Sequence, residues 1–120
     1  MFVYYNANPN HERIGDCVIR AISVALNKDY YDILYELFNI SNYFNCDMIV
    51  KDCYDKLLSG YYNLKKYSGM NKTVEQVAND FYDKTLIIRI DSHLTVSVNS
   101  IIKDIWDCSN EIVDCFWIVE

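Results

Sequence analysis

The hydrophobic period changes once along this chain, near residue 85, and that change constrains the fold more than any other feature. Before it, apolar side chains recur at helical spacing: Val18, Ile22, Ala25 and Leu26, with Ala21 on the same side, then Ile33, Leu34, Leu37 and Phe38. After it, Thr85-Leu86-Ile87-Ile88-Arg89-Ile90 is short and β-branched, and residues 93–98 alternate. Asn99-Ser100 can turn that strand into a partner over residues 101–106, and residues 111–119 read as a last strand. Helices followed by strands that return through short turns define an α+β domain. The expectation is N-terminal helices packed on a C-terminal antiparallel sheet of about four strands.

Local signals set the helix boundaries. Asp16 after Gly15 is an N-cap that makes Cys17 the first residue of a helix running to Leu26, and Asn27-Lys28 breaks it. Asp29 caps a second helix over residues 30–38. A third spans residues 47–58 and ends at Ser59-Gly60. Thr73 followed by Gln76 forms a capping box for a fourth helix that ends near Phe81. The first 13 residues are an irregular entry in which Asn6, Asn8, Pro9 and Asn10 are turn formers. No linker, repeat or low-complexity segment interrupts the 120 residues, so residues 1–120 read as one domain.

Charge and cysteine usage narrow the function classes. Eleven basic residues against 17 acidic ones give a net charge of −6, and Lys65-Lys66 is the only basic doublet, which argues against nucleic-acid binding. The start, Met1-Phe2-Val3-Tyr4-Tyr5-Asn6, lacks a charged leader pattern, and no apolar run reaches membrane-spanning length. A cytoplasmic protein is expected, with no membrane partner. Five cysteines, an odd number, then read as reduced thiols. Cys46, Cys53, Cys108 and Cys115 form no C-x-x-C pair, so they are expected to pack as small hydrophobes, with no metal or cofactor. Eleven tyrosines suit half-buried positions around a groove or a protein partner.

Helix position separates Cys17 from the other cysteines. At the first position of a helix, orphan amides and the positive dipole end favour a thiolate. Histidine is scarce, His11 and His93 alone. With Asn99-Ser100 as a two-residue turn, Val98 faces Ile101, Thr95 faces Asp104 and His93 faces Trp106. Alternation then puts His93, Thr95, Asp104 and Trp106 on one side, with Asp104 diagonal to His93 and in reach of its Nδ1–H. Asp107 points the other way unless a bulge shifts the register. A thiol at a helix start beside a hairpin carrying His and Asp has the makings of a Cys-His-Asp triad. The Cys17 amide is a natural oxyanion donor. Asn8, Asn10 and His11 are the side chains available to assist it, although plain turn roles suit the two asparagines equally. Arg20, one helical turn on, could steady the thiolate, bind a substrate carboxylate or tie the helix to a neighbouring acid.

Two stretches carry a family resemblance. Gly15-Asp16-Cys17-Val18-Ile19-Arg20-Ala21-Ile22 resembles the G-D-C-x-x-R-A-I motif of small, mostly phage-encoded, papain-like cysteine peptidases. The run from His93 through Asp104-Ile105-Trp106-Asp107 is similar to that family's H-x-x-x-x-x-x-G-x-x-x-D-x-W-D hairpin, with Asn99-Ser100 where the family commonly carries Asp-Gly. The resemblance covers residues 8–37 and 86–117 and implies a minimal papain-like fold. It further implies Cys17 as nucleophile, His93 as base, Asp104 as orienting acid and a protein or peptide substrate in a host cytoplasm. A peptidase or amidase, a deamidase or transglutaminase-like transferase, a non-catalytic phage protein that grips a host protein, and an incidental α+β domain with no site are the competing outcomes. Oligomeric state is open.

Overall fold

The computed structural model describes residues 1–119. Six strands make one sheet: β1 (Phe2–Tyr4), β2 (Lys66–Ser68), β3 (Thr85–Ile90), β4 (His93–Val98), β5 (Ile101–Asp104) and β6 (Cys115–Val119). Their order is β1-β5-β4-β3-β6-β2. β1 lies parallel to β5, and every other pairing is antiparallel. The helices are α1 (Cys17–Leu26), α2 (Tyr30–Phe44), α3 (Lys51–Asp55), continued by a π-helical turn (Lys56–Tyr61), and α4 (Val74–Asp80).

The sheet is buried on both faces. On one, α1, α2 and the α3–π segment bring Val18, Ile22, Ile33, Leu37 and Leu58 onto Ile87, Leu94, Val96 and Trp117. On the other, α4 brings Val74, Val77 and Ala78 onto Leu86, Ile88, Ile102 and Phe116. Successive residues of a strand face opposite ways, so Leu86-Ile87-Ile88 must be apolar without interruption to feed both layers. The segment before β6 crosses over Gly69, where an added Cβ would lie 2.0 Å from the Val113 carbonyl oxygen. Only glycine admits that approach. No helix among the described residues is long and apolar enough to cross a membrane.

The α+β class and the core helices agree with the sequence, and Thr73 and Gln76 form the expected capping box. Several expectations are corrected. The sheet has six strands and is mixed, not an antiparallel sheet of about four. β1 and β2 are three residues each, too short to show a period, and exist because β5 and β6 offer them edges. α2 continues past Phe38 to Phe44 because Ile40 still packs on the core and no left-handed residue intervenes before Asn45. The third helix starts at Lys51 and runs through Ser59-Gly60 with π-type spacing, so Gly60 is not a cap. β5 stops at Asp104, whose carboxylate accepts the Ile105 N–H and bends the chain. The last strand begins at Cys115, because residues before it leave the sheet to cross Gly69.

The thiol expectation is also corrected. Cys46 and Cys53 form a disulfide, and Cys17, Cys108 and Cys115 are free. The left-handed Asn45 that closes α2 turns the chain back, bringing Cys46 within a Cα separation of 5.6 Å of Cys53 in α3.

Candidate active site

Cys17, His93 and Asp104 meet at the rim where the start of α1 crosses the β4–β5 hairpin. Asn99 and Ser100 have φ of 50° and 65°, the left-handed values of a type I′ turn, and Val98 pairs with Ile101. That register puts Asp104 beside His93. Asp104 Oδ2 lies 2.6 Å from His93 Nε2. The contact therefore uses Nε2, not the Nδ1 expected from the hairpin alone, and Nδ1 is the nitrogen left for the Cys17 thiol. Trp106 packs edge-on against the imidazole at 5.0 Å between ring centres. Asp107 is turned away and exposed, its carboxylate accepting from the Ser109 backbone and hydroxyl.

The electrostatics follow from this packing. Burial pushes the Cys17 thiol up, but hydrogen bonds from His93 and the Leu94 backbone, with the charges of His93 and Arg20, outweigh it and leave the pKa below that of a free thiol. Burial pulls the His93 imidazole down, while the bonds to Asp104 and Cys17 outweigh it and raise it to about 9. Asp104 would be raised by burial, yet its partners, His93 foremost, hold it below the ordinary carboxylate value. All three shifts favour a thiolate–imidazolium pair backed by a carboxylate.

Behind the three lies a buried polar chain. Arg20 donates from Nε to Asp16 Oδ1 at 2.7 Å and from Nη1 to Asp104 Oδ1 at 3.2 Å. Asp16 Oδ2 accepts from Asn8 Nδ2 at 2.9 Å and from the Tyr30 hydroxyl at 2.8 Å. Asp16, Arg20 and Asp104 are each almost fully buried, which only complete pairing permits. Arg20 thus ties α1 to the acid of the hairpin, one of the roles open to it from sequence, and it is not among the groove-lining residues. Asp16 occupies the position before α1 but makes no side-chain cap, because its carboxylate is drawn inward by Arg20, Asn8 and Tyr30. The first amides of α1 therefore stay available to an anion at Cys17.

Asn8 and Asn10 are not brought to the thiol. The Asn8 amide is held by Asp16 and its carbonyl oxygen accepts the Asn10 N–H, while the Asn10 amide points to Glu12. His11 stands exposed on the same loop with a positive φ.

An open groove of about 370 Å³ lies over Cys17 and His93. One wall is Ile49, Val50 and Lys51, inside the loop that the Cys46–Cys53 bridge closes. The other is the β3–β4 turn with Asp91 and Ser92, and Arg89 and Tyr54 also line the groove. Sequence reasoning missed this wall and the Tyr30–Asp16 bond. The seven-residue spacing of Cys46 and Cys53 was the one available signal, and a paired cysteine was not expected without an export pattern. Comparison with protein-family models, curated proteins and solved structures finds no match for this chain.

Proposed function

We propose that the protein is a papain-like cysteine hydrolase that transfers an acyl group from an amide to water through Cys17. One observation carries this: a thiol at a helix start and a histidine line the same groove, each shifting the other's pKa toward the ion pair, and the histidine's Nε2 is held by a buried carboxylate. The chain order of cysteine helix, then histidine strand, then acid strand agrees with the motif resemblance.

The chemistry follows from the positions. The Cys17 thiolate attacks the acyl carbon lying in the groove. The amides at the start of α1 receive the charge that develops on oxygen. The imidazolium, with Nδ1 toward the groove, protonates the leaving amine, and the same ring then takes a proton from water to release the acid. Asp104 keeps the Nε2 proton in place and holds the ring through the cycle. Peptide, isopeptide and glutamine side-chain amides all meet these requirements.

A second reading keeps the scaffold and drops the chemistry: a protein that binds a host protein. Tyr31, Tyr35 and Phe38 support it, exposed at helical spacing along α2 of an acidic molecule. The test is acyl trapping. An activated peptide ester should add its acyl mass to Cys17 and to neither Cys108 nor Cys115, and Cys17→Ala should stay folded and unlabelled. Acylation no faster than that of a free thiol in solution would favour the binder.

A further inference from the structure

Cys108 has no part in the proposed chemistry, yet it is fully buried beside it. One ligand atom each from His93, Asp104 and Cys108 lie within 4.8 Å of one another. Thr95, two residues along β4 from His93 and so on the same strand face, has a buried hydroxyl with no hydrogen-bond partner. A buried hydroxyl without a partner is costly unless something fills the space before it. The Asp104 oxygens divide the work. Oδ1 is held by Arg20 and the Ile105 N–H, whereas Oδ2 has only His93.

We infer that His93 Nε2, Asp104 Oδ2 and Cys108 Sγ form a site for a divalent cation of the zinc class, which switches the hydrolase off. A nitrogen, an oxygen and a sulfur donor are the mixture that zinc accepts, with a fourth position toward Thr95 for its hydroxyl or a water. Tetrahedral bonds of about 2.0–2.3 Å set ligand atoms roughly 3.3–3.7 Å apart. The imidazole must therefore open from its 2.6 Å contact with Asp104 while the thiol closes in on both. Entry of the metal releases the Cys108 thiol proton and the Nε2 proton, and nothing is oxidised or reduced. With Nε2 on the metal, the ring can give up its Nδ1 proton only as an imidazolate, so the leaving amine is no longer protonated. The switching role rests on the hydrolase reading, but the site itself does not.

The test is metal binding to the full chain with its disulfide intact. Zn²⁺ is titrated in competition with a chromophoric chelator, and Co²⁺ is used to record thiolate-to-metal absorption. Wild type and Cys17→Ser should each bind one equivalent with the same affinity and show the cobalt–thiolate band. Cys108→Ser should bind at least tenfold more weakly and lose the band. Binding lost in Cys17→Ser would put the metal on the Cys17–His93 pair and overturn the site, as would binding indifferent to Cys108→Ser. If Cys108→Ser does not fold, the wild-type cobalt spectrum decides, since a spectrum without a thiolate band excludes Cys108. None of these readouts depends on turnover, so a failed acylation of Cys17 would leave the metal result standing.

Discussion

Arg20 is the residue on which the candidate site turns. A guanidinium can present one face to Asp16 and another to Asp104, which an ammonium cannot do at two fixed distances. Removing it leaves two buried carboxylates with no cation between them. Arg20→Met should cost about 3–5 kcal/mol in urea unfolding at neutral pH, and a loss below about 1 kcal/mol would contradict the bridging role. His93 gives a pH signature. Its pKa is about 9 in the folded chain against 6.5 for the free group, so the fold favours the protonated ring. That stability is fully present below pH 6.5 and is lost as pH rises towards 9. In the Cys17→Ala background, where Asp104 alone still raises the ring, the melting-temperature gap between His93 and His93→Gln should narrow as pH rises from 6. A gap that widens over this window would reverse the assignment of the Asp104–His93 bond.

At the level of elements, legibility followed the range of the interaction. The hairpin could be read because its period is two and its turn is local, so parity alone put Asp104 rather than Asp107 beside His93. Asn99-Ser100 lacks the usual glycine, yet both residues adopt the left-handed conformation because register and core burial on either side demand it. α1 was readable from its stripe, and α4 from Thr73 and Gln76. What stayed hidden needed distant partners. Arg20 and Asp104 are 84 positions apart, and β1 forms only because β5 is there. The loop between Cys46 and Cys53 has no periodic pattern, yet it supplies the groove wall. Reducing that bridge, or Cys53→Ser, should cost about 2–3 kcal/mol by the loop-closure argument. Amide exchange at residues 49–51 should rise while exchange in β3 and β4 stays unchanged. Equal loosening in both would place the bridge in the global fold rather than in the wall.

At the scale of the whole molecule, a sheet buried on both faces has an open groove at the rim where the helix bearing the thiol meets the hairpin bearing its partners. Such a plan needs few residues. The Cα radius of gyration is 13.1 Å, close to the ~13.6 Å expected of a compact chain of this length. The central claim is that the rim holds a thiolate paired with His93 rather than a resting thiol, and the pH dependence of Cys17 alkylation tests it most directly. Mass spectrometry can follow labelling of wild type and His93→Ala from pH 5 to 9. Cys17 should label fast near pH 6, the labelling should collapse in His93→Ala, and Cys108 and Cys115 should stay unlabelled in both. Slow labelling that rises only above pH 8, indifferent to His93, would mean that no such pair exists.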